Sequence, residues 1–309
     1  MKFNTAAIIA AGVAAFASMP ANAFEASVSL TKSGVFIGSS AGAPPPGVYM
    51  FDQVYTYQSN FAGPVTNVIG KNTGVQAAVD VQGFLFVPGW TFLGATYDAV
   101  IALPFVSESI GTPVNAQMSG MYNTYLVPVE LSWKLGDSGF FVKTGLGIWA
   151  PTGTVTGAGG TGNVGSPFWT YQPELIVSYL KDGWNLSAAV YEEFHTANTV
   201  TGYTSGDVLH ADFTATKTIG NWTFGPVAYY MGQVSNDKSS AYYNYLIQNA
   251  NRYEVWAVGG LVGYNFGAAS LSVWATQEVS AKASGATAGG GDGSFGNPAR
   301  RNRVCDAQL

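Results

Sequence analysis

Polar and apolar residues of this chain alternate one by one over segments of about ten residues, and no other feature limits its fold as much. In 74–86, Val75, Ala77, Val79, Val81 and Leu85 share one parity, while Gln76, Asp80 and Gln82 share the other. In 125–134, Tyr125, Val127, Val129, Leu131 and Trp133 oppose Glu130, Ser132 and Lys134. In 209–216, Leu209, Ala211, Phe213 and Ala215 oppose His210, Asp212, Thr214 and Thr216. Successive side chains of a strand point to opposite faces, so each segment has one apolar and one polar face. Composition says what wets them. Charged residues make up 10% of the chain, against about a quarter in an average soluble domain. Helical membrane spans are excluded, because after residue 23 no run of about 18 apolar residues occurs. The pattern predicts an all-β fold, a transmembrane antiparallel up-and-down β-barrel of about 12 strands with lipid outside and water inside.

The segments read as strands are 47–58, 74–86, 91–105, 125–134, 140–150, 169–180, 184–194, 209–216, 222–233, 252–264 and 269–280. Each is near the nine to eleven residues, roughly, that a tilted strand needs to cross a bilayer. Short connections at 86–89, 135–139, 181–183, 219–221 and 265–267 carry Gly, Asp and Asn, which tolerate the positive φ of tight hairpins. Longer polar links at 59–73, 106–116, 152–168, 197–205 and 234–251 fall between them. This sorting into short periplasmic turns and long outer loops is expected of an outer-membrane barrel, and a soluble sandwich has no reason for it. Trp90, Phe92, Trp133, Trp149, Trp169, Trp184 and Trp222 lie near strand ends, where aromatic girdles meet the membrane–water boundary.

Met1-Lys2, the apolar run 6–16 and the small-x-small site Ala21-Asn22-Ala23 read as a secretory signal peptide over 1–23. The expected organisation continues with an N-terminal periplasmic segment over 24–46, the barrel over 47–281 and a tail over 282–309. Net charge is −5, and the one basic cluster is Arg300, Arg301 and Arg303. Nucleic acid is thereby excluded as a partner, since phosphate binding needs clustered cations. A lone cysteine, Cys305, allows no intrachain disulfide.

From Gly136-Asp137, Gly145 and Pro151-Thr152-Gly153, through Asn163, Gly165 and 203–207, to Gly232-Gln233, Asp237, Tyr253, Gly259 and Gly263-Tyr264, the chain resembles a family of outer-membrane proteins named for the meta-pathway of phenol degradation. The resemblance spans about 47–285. It implies a porin-like barrel associated with breakdown of aromatic or other hydrophobic compounds, located in the outer membrane and inserted there by the barrel-assembly machinery. The last strand of such proteins usually alternates and ends on an aromatic residue. Here 289–309 shows no alternating run and ends on Leu309. Two expectations follow: a replaced closing strand that leaves the barrel unclosed, as after a reading-frame change near Asp292, or a twelfth strand supplied by 26–37.

Candidate chemistry is sparse. Glu192, Glu193 and His195 could bind a metal or shuttle protons, but their place at the end of a strand reads as solvated loop base. A lipid hydrolase would need a serine activated by histidine, with His210 meeting Ser205 or a cross-strand serine; the Gly-x-Ser-x-Gly elbow is absent. The glycine-rich stretch 153–165 lacks the Gly-Lys-Ser/Thr ending of a phosphate cradle and reads as a flexible outer loop. The expected protein is therefore not an enzyme and uses no cofactor or metal. It is expected to be a channel for passive uptake of small hydrophobic or aromatic compounds, with outer-membrane lipid around it. The expected solute pathway is the inward face: Gln76, Asp80, Gln82, Glu130, Lys134, Glu174, His210, Asp212, Thr214 and Thr216. Acidic groups are in excess there, so anion selectivity is not expected. The alternative is a non-conducting structural or adhesion barrel. The mature polypeptide should fold only with detergent or lipid; size-exclusion chromatography showing a folded, monodisperse protein in plain buffer would overturn the membrane reading.

Overall fold

The computed structural model describes residues 29–60, 74–112, 115–156, 163–247, 252–284 and 304–308; the expected signal peptide, residues 24–28, and most of the tail lie outside them. The strands are β1 (Gly47–Asn60), β2 (Gly74–Val87), β3 (Thr91–Phe92), β4 (Ala95–Ile110), β5 (Ala116–Met121), β6 (Thr124–Lys134) and β7 (Phe140–Ala150). They continue as β8 (Thr170–Lys181), β9 (Trp184–His195), β10 (Val208–Ile219), β11 (Trp222–Gln233), β12 (Arg252–Asn265), β13 (Ser270–Ser284) and β14 (Val304–Gln308). All pairings are antiparallel. β2 bonds to β4, and β14 lies between β13 and β1, so the sheet closes on itself. Of the 14 strands, β3 and β5 pair with β4 alone, which leaves twelve in the ring. The fold is the expected antiparallel barrel.

Turn chemistry sets the short end of the cylinder. In the link between β8 and β9, Asp182 and Gly183 have φ of 53° and 77°, the double positive φ that a two-residue hairpin of matching twist requires. Leu93 and Gly94, at 51° and 79°, make the same turn. That turn breaks the strand expected over 91–105 into β3 and β4. Beyond Phe105, β4 runs on to Ile110 and pairs with β5, so much of the expected loop 106–116 is a hairpin.

Face assignment follows the period of two with two corrections. Along β8, Gln172, Glu174, Ile176 and Ser178 are buried while Tyr171, Pro173, Leu175 and Val177 are exposed. On β2 the expected faces are reversed. Val79 and Val81 are buried and line the interior, Gln76 and Gln82 are exposed, and Asp80 stands opposite the exposed Val54 on the outer surface. On β6 the parity changes partway. Tyr125 and Val127 are buried inward, Pro128 and Val129 are both exposed, and Glu130 and Ser132 are again inward. The register jump between Leu126 and Glu130 against β7 is a β-bulge, and Pro128, with no N–H to give the ladder, sits in it. Lys134 lies past the end of the bore, exposed, 4.0 Å from Asp137. Of the expected girdle residues, Trp90, Phe92, Trp169, Trp184 and Trp222 are exposed. Trp149 is not: it points inward and is buried.

Closure is the largest departure from expectation. The last strand comes from the tail: β14 sets Cys305–Gln308 against Gln53–Thr56 of β1 and Val304–Gln308 against Ser272–Thr276 of β13. Asp306 stands opposite Tyr55 and Trp274, positions whose own side chains are buried inside. Residues 29–37, the other expected source of a twelfth strand, form turns rather than a strand. The closing strand has 5 residues, against 14 in β1 and 15 in β13. Each unpaired backbone group facing hydrocarbon costs several kcal/mol, roughly, so this short seam bears the cylinder's integrity. Truncation after Arg303 should abolish the heat-modifiable compact band on gels; an unchanged band would show that closure does not need β14.

Candidate functional site: an occupied bore

A barrel of eight strands is filled by its own side chains and one of sixteen leaves an aqueous channel, roughly. Twelve strands leave a space between these limits, and the chain fills part of it with its own N-terminal residues. Residues 29–42, part of the segment expected in the periplasm, run inside the barrel from the long-loop end to the short-turn end. The carboxylate of Glu193 accepts the backbone N–H of Leu30 at 3.1 Å and of Thr31 at 2.8 Å. Further down, Phe36 N–H donates to Asp212 Oδ2 at 3.0 Å and Gly38 N–H to Thr214 Oγ1 at 2.9 Å. A step of two residues on the inner segment thus matches a step of two on one face of β10. Ala41 N–H donates to Ser178 Oγ at 2.8 Å, and Ser132 Oγ donates to the Ala41 carbonyl. Gln53 and Asn185 amides return bonds to the carbonyls of Val35 and Gly38. The ring of Phe36 stacks on Tyr191 with centroids 4.5 Å apart. Ile37 is buried in the cluster of Tyr229, Leu261 and Trp274.

Most of the plug's hydrogen bonds go to β8–β10, and its Leu30 and Phe36 pack toward the opposite wall, leaving a space between. There Val79, Val81, Ala102, Val106, Tyr125 and Val127 border a cavity of about 390 Å³. Its deeper end is charged. Lys143 Nζ lies 3.1 Å from Asp98 Oδ2 and 3.2 Å from Glu130 Oε2, all three side chains being buried. Glu174 flanks the group across Gly145, where an added Cβ would come within 2.6 Å of Glu174 Oε1 and 2.9 Å of Glu130 Cγ. Three carboxylates therefore face one ammonium.

The expected pathway residues divide into three groups. Glu130 and Glu174 border the cavity. His210, Asp212, Thr214 and Thr216 face inward and are buried, but Asp212 and Thr214 hold the plug rather than line an open bore. Gln76, Asp80, Gln82 and Lys134 lie outside it. Sequence reasoning missed Asp98, Lys143, Trp149, Gln172 and the plug. Lys143 was within reach, since Phe141, Lys143, Gly145, Gly147 and Trp149 share one parity of β7.

Glu193 and His195 are not solvated loop base. Glu193 is fully buried, and His195 Nδ1 lies 2.8 Å from Thr170 Oγ1 with Nε2 3.7 Å from Glu193. His210 meets Ser29, with Oγ 2.7 Å from Nε2, and Glu193 Oε1 lies 3.6 Å from that same nitrogen. A hydrolase triad places its orienting carboxylate on the other ring nitrogen; these contacts anchor the plug. Above the bore, residues 163–168 are buried, and Val164 and Phe168 pack with Tyr122 and Trp149; of the glycine-rich stretch, residues 157–162 lie outside the described set. Gly153 and Gly165 meet so closely that a Cβ on the first would lie 2.5 Å from the Cα of the second. Asp237 gathers the next loops, accepting from Tyr203 Oη at 2.6 Å, Gly206 N–H at 2.7 Å and Gln233 Nε2 at 2.7 Å.

The family model described as "Putative MetA-pathway of phenol degradation" matches residues 52–291. Among solved structures, an outer membrane channel from Pseudomonas putida F1 is similar with a TM-score of 0.68 at 14% identity, covering 90% of this chain and 98% of that one. The translocator domain of the autotransporter NalP from Neisseria meningitidis gives 0.45 at 12% identity, covering 86% and 88%. The β domain of the Bordetella autotransporter BrkA gives 0.42 at 14%, covering 85% and 98%. No curated protein matches the chain.

Removing the Glu193 carboxylate strands the Leu30 and Thr31 amides, at about 1–3 kcal/mol for each buried group left unsatisfied. Glu193→Ala should therefore speed amide hydrogen exchange at 30–38 while β8–β10 stay protected. Unchanged exchange there would show that Glu193 does not hold the plug.

Proposed function

This chain belongs to the phenol-degradation MetA-pathway family, and from that premise we propose that it is an outer-membrane channel for passive uptake of small hydrophobic or aromatic compounds. The observation that carries this reading is the apolar wall of β1, β2, β4 and β6 beside the plug, bordering the cavity of about 390 Å³. A cavity of about 150 Å³ lined by apolar side chains is enough to take benzene, so this one accommodates a substituted ring. An apolar solute gains about 25 cal/mol for each Å² it removes from water. Sugars and hydrated ions gain nothing from that wall, and the plug occupies the polar side where they would otherwise run. The reversal of β2 supports the same reading, because it turns Val79 and Val81 toward the solute path. Outer-membrane lipid is the surrounding partner, and the barrel-assembly machinery is the expected route of insertion.

A second reading, a non-conducting barrel whose loops bind a partner, draws on the ladder of hydrogen bonds that holds the plug. Flux separates the two. In proteoliposomes whose outer leaflet carries lipopolysaccharide, entry of indole, followed by fluorescence, should exceed that of protein-free vesicles several-fold while sucrose stays excluded. Ala102→Trp, which fills the apolar wall, should return indole entry to background. Equal entry with and without the protein would favour the non-conducting barrel.

A further inference from the structure

We infer that the charged end of the cavity is a headgroup-selection site, which favours aromatic solutes carrying an ammonium group and disfavours aromatic carboxylates. The inference rests on the channel reading above and adds the class of solute that the channel prefers.

Glu174 is 6% exposed and lines the cavity, and its Oε1 has no hydrogen-bond partner. Tyr122 and Tyr125, 4% and 5% exposed, line the same cavity, and each has a hydroxyl without a partner. Buried polar groups are ordinarily bonded, and each exception calls for a water, an ion or a ligand group. Here three exceptions line one cavity, which has an apolar wall and a charged end. Two glycines on β7 keep that space open. A Cβ at Gly145 would press on Glu174 Oε1, and one at Gly147 would clash with the Tyr125 hydroxyl.

Charge decides the sign of the preference. Both ion pairs of Lys143 go to Asp98 and Glu130; Glu174 lies against Glu130 and keeps Oε1 turned to no partner. Lys32, the other lysine on the cavity, sits over the ring of Tyr122 at 5.9 Å. An ammonium placed against Glu174 makes a charge-assisted hydrogen bond, with a tyrosine hydroxyl as further acceptor, while its ring lies on Val79, Val81 and Ala102. A carboxylate in the same place would meet the acidic cluster of Asp98, Glu130 and Glu174, whose one close cation, Lys143, is already paired. An alcohol donates a neutral hydrogen bond and ranks between the two.

Phenethylamine, 2-phenylethanol and phenylacetate share a ring and a two-carbon reach while presenting the three headgroups. Calorimetry on the full chain in detergent should show phenethylamine binding about tenfold or more tighter than phenylacetate, the margin expected of a charge-assisted over a repelled contact. Glu174→Gln should remove most of that preference and leave 2-phenylethanol binding unchanged. Tyr125→Phe provides a second variant should Glu174→Gln lose its compact band, and should weaken the amine several-fold. Phenylacetate binding as tightly as the amine, or a preference untouched by the variants, overturns the inference. Entry of all three solutes into proteoliposomes at one rate overturns it alone; entry of none overturns the channel reading with it.

Discussion

Hydrocarbon offers no partner for a backbone N–H or C=O, and the whole architecture depends on leaving none of them open to lipid. Eleven long strands satisfy their neighbours in sequence order through alternating short turns and long links, but the first and last of them remain edges until something bridges them. The chain bridges them with Val304–Gln308. The bridge is short, so the ring is tied most weakly where its two ends meet. Everything inside the cylinder presupposes that tie.

Closure then creates a second problem, an interior too wide for inward side chains to fill. The N-terminal residues answer it by lying along β8–β10 and using carboxylates and hydroxyls of the wall as acceptors for their own amides. A peptide in an extended or turn conformation needs such partners wherever water is excluded. The polar inner face therefore serves less as a water-lined path than as a rack for the plug. What borders the remaining cavity is the opposite wall, built of valines, alanine and tyrosines. The bore is thus divided lengthwise: the side of β8–β10 holds the plug's amides, and the other borders the cavity with mostly apolar side chains.

Two local devices shape that cavity-facing side. The bulge at Pro128 turns Tyr125 and Val127 inward above it and Glu130 inward below it, so one strand contributes both the apolar wall and the charged end. Gly145 and Gly147 on the neighbouring strand then make room for Glu174 and the Tyr125 ring. A carboxylate-rich end capping an apolar wall is an arrangement that discriminates by headgroup as well as by hydrophobicity. Lys143 neutralises part of it, which lowers the cost of burying three carboxylates together.

Period-two alternation, the sorting of short turns from long links, and the low charge made the barrel and eleven of its strands legible, because each depends on residues close in sequence. His210, Asp212, Thr214 and Thr216 were placed inward for the same reason. Alternation says that two faces differ, yet it does not say which is inside when the interior itself is half apolar, and so β2 was turned the wrong way. It also assumes an unbroken count, which the extra residue at Pro128 defeats. The plug carries no periodic signal, since its partners Glu193, Asp212 and Ser178 lie far along the chain and only the closed ring brings them to it. Local chemistry thus determined that this chain makes a cylinder of strands. What fills the cylinder, which wall borders the cavity and where the charges gather were decided by closure, because only then do distant side chains share a space without water.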